Sequence, residues 1–206
     1  MAMENLHLIV GLGNPGGEYA RTRHNAGFRV VERLAERWQA GWTYEKRFNA
    51  RVARAERGGI RALLCEPQTY MNSSGEAVGP LMAFYRLTPA RLLVVVDDAD
   101  LPLGELRLRP RGSSGGHHGL ESIERHLGTR AFARQRIGIG RAPGAREITD
   151  YVLGRFSPAE AAVMDKVLTV ASDQVECWLS AGIHKAMSQF NGITADRDAA
   201  NEGKKQ

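Results

Sequence analysis

The sequence is poor in cysteine, with only Cys65 and Cys177 among 206 residues, and neither sits in a C-x-x-C or Cys/His spacing that would hold zinc. A disulfide framework and a structural zinc are therefore not expected, and both cysteines read as buried free thiols. Long apolar runs are missing as well. Leu6 to Val10 is too short for a signal peptide or a membrane span, so a cytoplasmic chain with no membrane attachment is expected. There is no internal repeat and no low-complexity linker. Lysine is scarce beside arginine in a chain of net charge +5, which suits a partner carrying phosphates, because the guanidinium fork matches phosphate oxygens.

What is present is enough for a core. An apolar fraction of 43% over this length suits one compact α/β domain, expected at residues 1–193, with a frayed tail over 194–206 where TADRDAANEGKKQ loses its apolar pattern. Leu6 to Gly11 reads as a buried strand. Gly27 to Trp38 reads as an amphipathic helix with Phe28, Val31, Leu34, Ala35 and Trp38 on one face and Asn25 placed to cap it. FNARVARAER and GIRALLCEP form a hairpin through Arg57-Gly58-Gly59, and a helix follows over Glu76 to Tyr85. LLVVVDD is a β-branched run expected at a central position covered on both faces. Glu105 to Pro110 alternates like a half-exposed strand, Leu120 to Leu127 reads as a helix, and RQRIGIGR as a strand whose Gly138 and Gly140 permit close approach to the backbone. Ser157-Pro158-Ala159-Glu160 opens a long helix with a capping box, turning Val163, Val167, Val170 and Trp178 inward. Strands alternating with helices indicate a single α/β domain with a twisted, mixed and mostly parallel sheet flanked by helices.

GLGNPG, Gly11 to Gly16, matches the G-x-G-x-x-G dinucleotide fingerprint, but its context fails. A dinucleotide loop opens directly into a helix, whereas here Pro15 and Gly16-Gly17 favour an extended turn and the next helix starts only after Asn25. No cofactor is expected. The loop instead aims Asn14 at a cleft beside the carboxyl end of its strand, where open α/β sheets keep their sites. Asp97 arrives at the same end, and His24, just before a helix, is placed to join it.

Four of these residues make a chemical set. His24 is a candidate base, Asp97 a candidate carboxylate fixing its tautomer, and Asn14 and Asn72 candidate amides for water, carbonyl or oxyanion. Ser73 and Ser74 lack a G-x-S-x-G elbow and read as helix-capping residues. His117 and His118 near Asp97, Asp98 and Asp100 lack metal-ligand spacing, so no metal is expected. Arg107 and Arg109 project from one strand face, with Arg111, Arg134, Arg136 and Arg141 on segments able to lie nearby, either as a phosphate-contacting patch or as a solvated face. Tyr70, Met71 and Phe84 read as core or cleft wall.

GLGNPGGEYARTRHNAGF, PQTYMNSSGEAV, VVVDDADLPLGELRLR, GSSGGHHGLESI, RIGIGR and DYVLGRFSPAE together resemble the bacterial peptidyl-tRNA hydrolase family across residues 6 to 192. The resemblance implies a monomeric mixed-sheet hydrolase of phosphorylase/hydrolase-like architecture that cleaves the ester joining a peptide to tRNA and so recycles tRNA from aborted translation. It implies His24 as general base, Asp97 as its partner, Asn14 as the residue holding substrate and water, and Asn72 as the amide positioning the ester. It places Tyr19 at the 3′ end of the tRNA, Met71 and His117 beside the substrate, and Arg109 and Arg136 in a clamp for the 5′ phosphate. The family usually reads G-G-H-N-G-L where this chain has His118, so His118 takes an asparagine's binding position with a different reach. Two other readings stay open: an RNA-binding relative without hydrolysis, which has no chemical need for all four groups, and a dinucleotide-binding oxidoreductase.

Overall fold

The structure, a computed structural model, describes residues 5–141 and 148–192. The expected tail lies outside them. A seven-stranded sheet is built from β1 (Leu6–Gly11), β2 (Trp42–Glu45), β3 (Ala50–Arg57), β4 (Ile60–Pro67), β5 (Leu92–Asp98), β6 (Leu106–Arg109) and β7 (Ala133–Gly138), in the order β2-β3-β4-β1-β5-β7-β6. The central strands β4, β1, β5 and β7 run parallel, while β3 joins β4, β2 joins β3 and β6 joins β7 antiparallel. The mixed α/β sheet and the β3–β4 hairpin, closed at Arg57↔Ile60, match the sequence expectation.

Helices cover both faces. On one, α1 (Ala26–Arg37), α5 (Pro158–Ala181) and α6 (Ile183–Phe190) close a core with Ile9, Leu64, Leu93 and Val95; on the other, α2 (Ser74–Tyr85) and α3 (His118–Leu127) close a second core with Leu8, Val10, Val94 and Val96. β5 alternates its side chains between these two cores, which is why its sequence is apolar without a break until Asp97. α4 (Ile148–Leu153) is a single short helix with no buried residue.

The glycines after β1 set the geometry of the site. A Cβ on Gly11 would run into the Gly27 carbonyl, and one on Gly27 into the Val95 carbonyl, so α1 starts in direct backbone contact with β1 and β5. Leu12 N–H donates to Val95 O at 3.0 Å, and Phe28 N–H donates to Leu12 O at 3.2 Å. This seam brings the turn before α1 against the end of β5.

Several local expectations need correction. Asn25 does not cap α1 with its side chain, because that amide is engaged elsewhere. α2 starts at Ser74, two residues before the expected start, after a 3-10 turn over Met71–Ser73. Neither serine caps it: Ser73 makes no side-chain cap bond, and buried Ser74 donates Oγ–H to Met71 O at 2.7 Å. The capping box at α5 is present in both directions, with Pro158 in its first turn. Gly138 does meet close approach, since a Cβ there would strike the Pro102 carbonyl. Cys65 is buried and free, whereas Cys177 is only half-buried. β2, α4 and α6 had no separate expectation from the sequence.

Candidate active site

The carboxyl ends of the parallel strands open into a cleft of about 520 Å³ that contains Asn14, His24, Met71, Asn72, Asp97, His117 and His118 among its lining residues. They come from several joints of the fold. Asn14 follows β1, Met71 and Asn72 follow β4, Asp97 ends β5, His24 lies in the turn before α1, and His117 is the N-cap of α3.

His24 Nδ1 lies 2.9 Å from Asp97 Oδ1 and 3.1 Å from Oδ2, with both side chains largely shielded from water. Burial by itself would lower the His24 pKa, but the Asp97 charge and hydrogen bond outweigh it and hold the imidazole above its ordinary value. Burial likewise pushes Asp97 up, and the charge of His24 together with hydrogen bonds from His117 and His24 overcomes that push and keeps the carboxyl well below the ordinary carboxylate range. Asp97 is thus an acceptor only. His24 donates Nδ1–H to it, leaving Nε2 with its lone pair.

Asn14 is held on three sides. Its N–H donates to Asn25 Oδ1 and its carbonyl accepts from Asn25 Nδ2, both at 2.9 Å, while its own Oδ1 accepts from Met71 N–H at 2.8 Å. A backbone N–H can only donate, so the Met71 contact fixes which end of the Asn14 amide is oxygen and leaves the NH₂ to donate. Asn25 was expected as a cap; its work here is to lock Asn14. Asn72 is exposed on the cleft wall.

Ile148, Val152 and Leu153 of α4 add an apolar wall to the cleft. Arg23, next to His24 in the chain, anchors this wall. Its guanidinium donates to Glu160 at 2.9 and 3.2 Å and stacks on Tyr151 at 4.4 Å and Phe156 at 5.2 Å, and its backbone N–H donates to Gly154 O. Neither Arg23 nor α4 was singled out from the sequence. The available signal was the D-Y-V-L-G-R-F stretch, whose apolar residues are too few to show a helical period.

Most of the arginines on these segments are engaged within the protein. Arg134 is fully buried, paired with Glu124 at 3.0 Å and donating to the carbonyls of Ser113, Arg130 and Phe132. Arg136 lines the cleft but spends its guanidinium on Asp98 at 3.0 Å and on Ser113 and Ser114 carbonyls. Arg107 pairs with Glu105 and Arg141 with Asp100. Arg109 is exposed on edge strand β6, with no ion-pair partner among the described residues. Tyr19 is half-buried in the loop between β1 and α1 and is not among the residues lining the cleft. Phe84 is neither core nor cleft wall: it is 52% exposed, with Arg47 stacked over it at 3.9 Å. Tyr70 is 65% exposed at the cleft. His118 is exposed, its Nδ1 3.2 Å from Glu121.

The family model described as peptidyl-tRNA hydrolase matches residues 8–200. A peptidyl-tRNA hydrolase of Synechococcus sp. (strain JA-3-3Ab) is 53% identical over 91% of this chain and 84% of its own length. One from Chloroflexus aggregans is 53% identical over 90% of this chain and 99% of its own. The crystal structure of peptidyl-tRNA hydrolase from Acinetobacter baumannii superposes with a TM-score of 0.88 at 39% identity, covering 95% of this chain and 99% of that one. Sharing their fold along nearly its whole length and about half its residues with such relatives, this chain belongs to the peptidyl-tRNA hydrolase family.

Proposed function

We propose that this member of the family hydrolyses the ester between peptide and tRNA by direct attack of a water that His24 deprotonates. The observation that carries the reading is the His24–Asp97 contact at the floor of a cleft that Asn14 and Asn72 also line. Nε2 of His24 takes the proton from water, and Asp97 stabilises the imidazolium that forms. The Asn14 NH₂, held by Asn25 and Met71, donates to the water or the carbonyl oxygen as negative charge grows there, and Asn72 positions the ester.

An ester of this kind is activated enough for such an attack, so the mechanism has no covalent intermediate and calls for no metal. Ser74, the second of the two serines after Asn72, is buried with its proton directed at Met71 O and so is not placed to act as a nucleophile, in keeping with water in that role. Met71 and the apolar wall of α4 flank the peptide, His118 contributes a rim contact, and Tyr19 meets the 3′ end of the tRNA. Arg109 and Arg136 take phosphate charge, recognising backbone and shape in preference to base identity. The enzyme works as a cytoplasmic monomer recycling tRNA, with residues 1–193 as its domain and 194–206 as a tail. Among the described residues no helix is long and apolar enough to cross a membrane.

A release assay with purified peptidyl-tRNA tests the reading. The chain is expected to free the peptide with multiple turnovers; tRNA binding without release would favour the RNA-binding scaffold instead.

A further inference from the structure

Asp97 accepts from a second imidazole. His117 Nε2 lies 3.3 Å from Asp97 Oδ1, on the same oxygen that meets His24. The other ring nitrogen of His117, Nδ1, accepts the Leu120 backbone N–H at 3.4 Å, making this histidine the side-chain N-cap of α3. A nitrogen that accepts an N–H carries no proton itself, so the cap fixes the tautomer: the proton sits on Nε2 and faces the carboxylate. The His117 side chain is 8% exposed, and its ring lies 5.1 Å from that of His24.

We propose that His117 is a positioning residue that ties the N-terminus of α3 to Asp97 and, through that shared carboxylate oxygen, sets the orientation and basicity of His24. The inference rests on the reading of His24 as the base. It gives His117 an internal role instead of a hydrogen bond to substrate, since both ring nitrogens are already engaged.

Other charges around the carboxylate are paired among themselves. From β5, Asp98 meets Arg136 of β7 at 3.0 Å, and just beyond it Asp100 meets Arg141 at 3.4 Å. Before α1, Arg23 meets Glu160 at 2.9 Å, and on α3 His118 meets Glu121 at 3.2 Å. The two histidines are thus the direct partners of Asp97. They also explain why three ligand-type atoms lie within 4.8 Å here. Two N–H groups converge on one carboxylate, and a cation in their place would require His117 to move its proton onto Nδ1, against the Leu120 N–H.

A donor on Asp97 weakens its hold on the His24 proton, so removing it strengthens that hold. Two variants separate this from helix capping. His117→Asn keeps an oxygen for the Leu120 N–H, a favoured cap, but its shorter side chain stops short of Asp97. His117→Gln reaches Asp97 with an N–H and gives up the cap. The probe is the His24 ring proton followed by NMR across pH in the full chain, beside kcat and KM for peptidyl-tRNA.

In His117→Asn the His24 midpoint is expected to rise by about half a unit to one unit, with kcat reduced several-fold and KM unchanged. His117→Gln is expected to restore the wild-type midpoint. An unmoved His24 midpoint in His117→Asn overturns the proposal, as does a midpoint raised equally in both variants. A midpoint that rises while the pH profile of kcat/KM stays put would uphold the coupling and overturn His24 as the base, so the two failures are distinguishable.

Discussion

The Nδ1 atom of His24 lies 2.9 Å from the carboxylate of Asp97 across a separation of 73 residues. The glycine seam between β1, α1 and β5 is what closes that gap, because Gly11 and Gly27 admit no side chain between the two elements. The pair gives a pH signature. His24 acts only when neutral, and its pKa stands above 6.5, so the acidic limb of kcat/KM is expected above pH 6.5. In Asp97→Asn the burial that lowers the imidazole is no longer opposed, and the limb is expected to move below 6.5 while kcat falls. A limb that stays in place would separate the observed ionisation from His24.

The same pair has a stability window. His24 is raised, so its contribution is complete below 6.5 and fades as pH climbs through the folded value; Asp97 is lowered, so its contribution is complete above 3.8 and fades in acid. Thermal denaturation should therefore show the largest gap between wild type and Asp97→Asn between these two values. A gap independent of pH would mean the variant acts through packing.

Asn14→Asp isolates the amide donor. A carboxylate still accepts the Met71 N–H and keeps the shape, but it has no NH₂ to offer a developing oxyanion. Turnover is expected to fall by about 10²- to 10³-fold with little change in melting temperature. Near-normal kcat in this variant would remove Asn14 from the mechanism.

The two clamp arginines should separate. Arg109, exposed and unpaired among the described residues, is expected in Arg109→Ala to raise KM for full-length peptidyl-tRNA, leave minimal esters unaffected, and flatten the salt dependence by about one phosphate contact. Arg136→Ala also releases Asp98 and the Ser113 and Ser114 carbonyls, so kcat and melting temperature are expected to fall with it. Equal effects in both assays for the two variants would contradict this division.

Glu66 supplies a test away from the cleft. Burial, reinforced by the charge of Glu32 and only partly offset by Arg51, pushes its carboxyl up to about 8, and Oε1 has no hydrogen-bond partner. The folded chain therefore holds a proton that the unfolded chain releases between 4.5 and about 8, and stability must fall as pH rises through that interval. Glu66→Gln is expected to lessen this slope in urea denaturation series, leaving the part above 6.5 that His24 contributes. A slope the substitution leaves unaltered would assign it to other groups.

Strong local patterns made much of the fold legible. The unbroken β5 run, the β3–β4 hairpin and the Ser157 capping box each carry their own geometry in a few adjacent residues. So did the meeting of His24, Asp97, Asn14 and Asn72 at one strand end, since parallel strands collect their carboxyl-end loops. What stayed hidden depends on partners distant in the chain. Arg134 looks like one more strand arginine until Glu124 and three backbone carbonyls surround it. Asn25 stands where a cap belongs, yet its amide matches the backbone of Asn14 on both sides and bonds there instead. The capping of α3 by His117 was equally hidden, because a histidine at that position carries no strong capping preference.

The central claim is that the His24 imidazole makes water the nucleophile. Its most direct test is the single-turnover rate of peptide release from peptidyl-tRNA by His24→Ala, measured beside its tRNA affinity. A drop of about 10²- to 10⁴-fold in rate with affinity retained is the predicted result. Release at close to the wild-type rate would contradict the account.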